Sequence, residues 1–233
     1  MAFDRLRLSG LFEKAKTNSP LMLSLSKHTR NACPAALAAL TLLFMEFTDH
    51  ITQDQIAMIG KQAVFFIATA AGEGRINLSP KGLADTFRVL SPTRVAYLDL
   101  GGSGNETHAH LAADGRITIM MCNFAQPALI LRLYGRGRPV LPQDADWAEL
   151  AAHFTLLPGT RQIFDITVES VQGSCGWGVP LMLVDQERAT LVKYHAQSDP
   201  DKWTKKMAGR TSSIDGLPTR ATDRFIAGQQ SAD

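Results

Sequence analysis

Six runs of β-type residues follow one another between Ala63 and Ser174, and their spacing is the strongest constraint on the fold. They read "AVFFIATAA" (63–71), "GRINLS" (74–79), "RVAYLDL" (94–100), "RITIMMCNF" (116–124), "ALILRLYGRGRPVL" (128–141) and "RQIFDITVESVQGS" (161–174). Parallel neighbours need crossovers of about a dozen residues or more, and the gaps after the first and the fourth run are far shorter. Gly72 to Gly74 suit a hairpin turn between the first two runs. The expectation is a mainly β, α+β fold: a six-stranded antiparallel barrel with helices inserted between some strands, not a doubly wound parallel sheet.

The inserts carry helix signals. "TDHITQDQIAMIGKQ" offers Thr48 or Asp49 as N-cap and a partial stripe of Ile51, Ile56 and Ile59. "THAHLAAD" is closed by Gly115, Pro142 can start "PQDADWAELAAHF", and helices are expected around "ERATLVKYHAQ" and "DKWTKKMAG". Gly135 and Gly137, inside the fifth run, suit a bulge or barrel bend.

Residues 1–44 lack a sustained period, and a more ordinary beginning comes at Met45. "FDRLRLSG" and "LMLSLSKHTR" resemble peptides made when short repeated bacterial DNA elements are translated by mistake, so the expected native start is Met45. A genuine amphipathic N-terminal helix is the other reading. The expected division is an extension over 1–44, a barrel over 45–184, and a helical and irregular segment over 185–233 packed on the barrel. "ACPAALAALTLLFM" follows basic residues but ends at "MEFTDH" without a small-x-small site, so it is not read as a secretory signal. No run reaches the roughly 20 apolar residues of a membrane span.

A net charge of +2, with no basic stripe, argues against a nucleic-acid partner. Cys33, Cys122 and Cys175 are odd in number and far apart, fitting neither a disulfide framework nor a zinc site. A reducing cytoplasm is the expected setting, and Cys122, in an apolar strand, reads as core.

Four local features bear on function. In "GRINLSPKG" the polar Asn77, Ser79 and Lys81 alternate with Ile76, Leu78 and Pro80, so one strand face carries an amide, a hydroxyl and an ammonium group. A solvated strand edge is one reading; a grip on a phosphate dianion, with Gly82 following, is the other. "DLGGSGNETHAHL" runs from a strand into a helix, the setting of a phosphate-binding turn, although its glycines lack nucleotide-motif spacing. Asn105 and Thr107 there could equally be helix caps. His108 and His110, two apart on a helix, diverge, which disfavours a shared metal; no metal site is expected. In "SCGWGVP", Trp177 is either a plug at a core edge or a wall for a flat ligand.

"FFIATAAGEGRINLSPKG", "VAYLDLGGSGNETHAHL", "GRITIMMCNF" and "LRLYGRGR", in that order, resemble the pyridoxamine 5'-phosphate oxidase-like family of FMN-binding split barrels from about Val64 to Val140. "SCGWGVP" and "SIDGLP" resemble features of one subgroup. The resemblance implies a six-stranded split barrel that forms a homodimer with FMN between subunits. It also implies that Asn77, Ser79 and Lys81, then Asn105 and Thr107, hold the phosphate and ribityl chain, with Asp99 and the Leu98 backbone beside them. Arg132 would approach the flavin ring from the partner subunit or close to it, and Trp177 would wall the ligand. Many relatives have a basic pair where this chain has Glu106 and Thr107, which would leave the phosphate charge mainly to Lys81.

The C-terminal Trp, Arg and His segment that grips substrate in true pyridoxamine phosphate oxidases is not found, so vitamin B6 oxidation is not expected. The resemblance implies a flavin-dependent oxidoreductase of a small molecule, with a non-catalytic flavin, deazaflavin or haem protein as alternative. His108 or His110 would then be tried as haem ligand, and a dimerisation module without cofactor is a third reading. One expectation is directly testable: mass spectrometry of the protein from its native cells should detect no peptide upstream of Met45.

Overall fold

The computed structural model describes residues 46–209 and 211–220, all on the C-terminal side of Met45; the expected 1–44 extension lies outside the described residues. The strands are β1 (Glu46–Thr48), β2 (Phe65–Thr69), β3 (Asn77–Lys81), β4 (Phe87–Ser91), β5 (Arg94–Leu100), β6 (Arg116–Cys122), β7 (Leu129–Val140) and β8 (Thr160–Cys175). The helices are α1 (Gln53–Ile59), α2 (Glu106–Ala113), α3 (Trp147–Ala151), α4 (Thr190–Gln197) and α5 (Pro200–Ala208). Every strand pairing is antiparallel, in the order β3-β2-β6-β7-β8-β5-β4, with β1 added to the end of β8. The terminal strands β3 and β4 do not pair, so the sheet is an open, split barrel.

All six expected strands are present; β4 and the three-residue β1 are additions. Gly72, at φ +54°, makes the β2–β3 turn, and the hairpin register runs from Thr69 opposite Asn77 to Phe65 opposite Lys81. The long ribbon of β7 and β8 bends where the register shifts between Tyr134 and Gly135. A Cβ on Gly135 would overlap the Thr167 carbonyl oxygen, so the bulge needs glycine there.

Two expected helix boundaries need correction. The N-cap of α1 is Thr52, not Thr48 or Asp49: its hydroxyl accepts from the Gln55 N–H while the Gln55 side chain accepts from the Thr52 N–H. This reciprocal capping box satisfies two donors where a plain cap satisfies one. The third helix begins at Trp147 instead of near Pro142 because Asp144 makes a turn, accepting from the Leu141 N–H through its carboxylate and donating its own N–H to the Leu141 carbonyl.

Apolar side chains pack on both faces of the sheet. The larger cluster fills the barrel with Phe65, Ile67, Tyr97, Ile119, Leu133, Phe164 and Ile166. Tyr97 stacks on Phe164 at 4.8 Å and meets Phe65 edge-on at 5.6 Å. The smaller cluster seats Trp147, Leu150 and Phe154 against Ala96, Leu98 and Ile163, the opposite face of β5 and β8. Cys122 is buried as expected, and burial pushes its thiol pKa up. No helix among the described residues is long and apolar enough to cross a membrane. Gly135→Ala is expected to lower stability by about 2 kcal/mol or more in urea unfolding, the scale of overpacking against rigid backbone.

Candidate functional site

The sheet's opening coincides with a cavity of about 1090 Å³. The side chains of β3 explain its polarity. Asn77, Ser79 and Lys81 are half-buried, while Leu78 is 67% exposed and the preceding Ile76 77% exposed. The strand is therefore turned inside out, with its polar face inward. The solvated-edge reading is overturned, since these three side chains line the cavity.

Seven of the nine residues singled out from sequence converge on this wall: Asn77, Ser79, Lys81, Leu98, Asp99, Asn105 and Thr107. Ser79 Oγ donates to Asn77 Oδ1 at 2.9 Å, and Asn77 Nδ2 donates to Thr107 Oγ1 and Thr69 Oγ1, each at 3.1 Å. These bonds tie β3 to the start of α2. Asn105 occupies the N-cap position of α2 without making a side-chain cap; its Oδ1 instead accepts from Gln162 Nε2 at 2.8 Å. Arg132 and Trp177 are not on this wall. Arg132 Nη1 donates to Ser174 Oγ at 3.0 Å, and Trp177 sits 55% exposed in the loop after β8.

Asp99 is the electrostatic centre. It is 4% exposed, yet its oxygens meet Lys81 Nζ at 3.2 Å, Arg161 Nε at 2.7 Å and Gln162 Nε2 at 2.8 Å. Burial alone would raise its pKa; the Arg161 guanidinium, the Lys81 ammonium and the Gln162 amide outweigh it and hold the carboxyl well below its usual 3.8. Two cations sharing one carboxylate leave a net positive charge on this cluster.

Arg161 is the residue the sequence reading missed. It is buried, lines the cavity, donates from Nη2 to the Gly104 carbonyl at 2.9 Å, and keeps Nη1 with no hydrogen-bond partner. Its one sequence signal was the adjacent polar pair Arg161 and Gln162 opening an otherwise alternating strand. Also missed was the segment after β8, from which Val184, Arg188, Leu191 and Tyr194 contribute a further wall. The Glu187 carboxylate accepts from the Ala84 N–H at 2.6 Å, fastening this strap to the β3–β4 loop. In that loop Leu83 and Asp85 adopt positive φ, an unusual backbone for such residues. His195 of α4 ties this helix to the glycine-rich loop, its Nε2 2.8 Å from the Gly101 carbonyl.

Glu106, the first residue of α2, accepts from the Ile214 N–H at 3.0 and 3.2 Å, so its charge is directed to the C-terminal turn. The donor set fits a phosphate. Lys81 and Arg161 supply charge, Arg161 has an unsatisfied buried N–H, and added Cβ atoms at Gly102 and Gly104 would meet only open space. His108 and His110 are fully buried, not solvent-facing, and neither lines the cavity. That geometry does not suit them as haem ligands there.

The fold is an antiparallel split barrel whose open edge holds a cleft lined by paired cations, hydroxyls and a glycine-rich helix entry, a chemistry suited to an anionic group. The pyridoxamine 5'-phosphate oxidase family model matches residues 51–175, and the chain belongs to that family. A pyridoxamine 5'-phosphate oxidase family protein, ustO, from Aspergillus flavus is 43% identical over 176 residues, covering 68% of this chain and 71% of the relative. Among solved structures, HupZ from Group A Streptococcus aligns with a TM-score of 0.42 and 21% identity, covering 52% of this chain and 91% of that one. A FAD-binding protein from Mesorhizobium loti aligns at 0.39 and 16% identity, covering 56% and 97%.

The depressed pKa of Asp99 carries a pH prediction. A carboxylate whose folded pKa lies below its unfolded one stabilises the fold above the unfolded value and loses that contribution as pH falls through the folded value. Asp99→Asn, which strands two cations, is expected to cost about 3 kcal/mol near pH 7. In urea unfolding the gap from wild type should narrow as pH drops below about 4.

Proposed function

We propose that the chain binds FMN in the cavity between β3, β5 and α2 and acts as a flavin-dependent oxidoreductase on a small molecule. The observation carrying this reading is the convergence of Asn77, Ser79, Lys81, Asp99, Asn105 and Thr107, from three separate elements, onto one wall. Family membership supports the same cofactor. In this reading the phosphate lies against Lys81 and the glycine-rich entry to α2, and Asn77 and Ser79 bond the ribityl hydroxyls. Bound flavin supplies the redox chemistry, exchanging a hydride at its N5 position.

The protein's own part is placement. Asp99 fixes the Lys81 ammonium and the Arg161 guanidinium from one buried carboxylate, so their donors are oriented before a ligand arrives. The strap held by Glu187 covers part of the cavity and limits water. A cytoplasmic homodimer, with Arg132 reaching the ring of the partner's flavin, is the assembly that goes with this reading.

Purified protein should absorb in the flavin bands or become loaded when FMN is added, and NADH or NADPH should reduce the bound flavin. Binding without reduction by either donor would point to a carrier or sensor instead. Lys81→Ala should weaken FMN binding by about 1.5 to 3 kcal/mol in a fluorescence titration, the scale of a lost charge-assisted hydrogen bond. Unchanged affinity would remove Lys81 from the site.

A further inference from the structure

His108 lies buried on α2, off the cavity wall, with both ring nitrogens engaged. Nε2 is 3.0 Å from the backbone nitrogen of Arg220, a group that can only donate, so Nε2 accepts. The neutral ring then carries its proton on Nδ1, which faces Gln162 Oε1 at 2.7 Å. Gln162 Oε1 therefore accepts, and Gln162 Nε2 donates to Asp99 Oδ2 and Asn105 Oδ1, both at 2.8 Å. Reversing the amide would set its oxygen against two acceptors and its NH2 against the His108 N–H. Only one assignment of donors is self-consistent, and its first donor belongs to the C-terminal turn.

That turn is held at other points as well. The Arg220 guanidinium pairs with Asp144, Asp215 pairs with Arg75, and the Ile214 N–H meets Glu106 at the mouth of the cavity. Burial keeps the His108 pKa low, more strongly than the Gln162 bond raises it, and Arg161 and Arg220 add to the lowering against Asp99, so the ring is neutral.

We propose that His108 is a positioning residue for the anion end of the cavity: docking of the turn at Arg220 selects its Nδ1–H tautomer, which orients Gln162 and through it Asp99, Lys81 and Arg161. The proposal rests on the flavin reading above for its ligand, though not for its tautomer. It places regulation of the site outside the cavity, since undocking the turn frees the imidazole to exchange tautomers and lets the Gln162 amide turn over.

The test uses the full chain labelled with 15N-histidine. Long-range 1H–15N spectra should give His108 as the Nδ1–H tautomer in wild type and in Arg220→Ala, which keeps the backbone N–H, and a changed pattern in Arg220→Pro, which deletes it. FMN titration should show the Kd raised about fivefold in Arg220→Pro and His108→Phe, the worth of roughly one hydrogen bond, with a smaller rise in Arg220→Ala. If His108→Phe does not fold, the two Arg220 variants read the same link. An Nε2–H tautomer in wild type overturns the proposal, as does one FMN Kd shared by wild type, Arg220→Pro and His108→Phe. A wild-type chain that takes up no FMN overturns the flavin reading and with it the claim on affinity, whereas the spectra still decide whether the turn sets the tautomer.

Discussion

The ion pair between Lys81 and Asp99 joins two strands that share no backbone ladder. β3 ends the sheet on one side of the opening and β5 lies one strand in from the other end. Backbone hydrogen bonds hold each strand to its neighbours but cannot cross this gap, so side chains do. A buried carboxylate is costly unless it is fully paired, and Asp99 is paired by three donors from β3 and β8. The mouth of the barrel is thereby held at a defined width by charge instead of by ladder, and it remains open to a ligand.

The same economy of elements recurs around the cavity. Asn77 uses its amide to link β3 to Thr69 of β2 and Thr107 of α2, and Gln162 links β8 to β5 and the N-cap of α2. Asn77 on the cavity wall and Gln162 behind Asp99 thus both serve the fold. Disturbing the cavity wall therefore disturbs the side-chain closure of the barrel.

The strands were legible in the sequence because the period-two pattern, the hairpin glycines and the short gaps are local signals; Gly135 marked the bulge for the same reason. β4 escaped notice because its five residues are all half-buried and show no alternation, and β1 is only three residues long. The polar face of β3 was visible, though its inward direction was not, since periodicity identifies two faces without saying which is wet. Arg161 was hidden for a further reason. It meets Asp99 only because β5 and β8 pair with Asp99 opposite Gln162, a register set by tertiary structure across more than sixty residues. The two histidines, whose divergence on the helix disfavoured a shared metal, are buried members of hydrogen-bond chains anchored by segments far along the sequence.

The inverted β3 strand bears on how such a protein can change. Any substitution there that favours burial, such as a branched apolar residue at Ser79, improves the strand by ordinary packing rules and removes a donor from the cavity. Selection for robustness alone would rewrite the strand in the conventional sense and fill the cleft. A chain that still keeps an amide, a hydroxyl and an ammonium group facing inward, with isoleucine, leucine and proline outward, retains a locally unfavourable arrangement that a bound molecule could offset. In a barrel of this kind, the orientation of this one short strand decides whether the cleft presents polar donors or apolar surface.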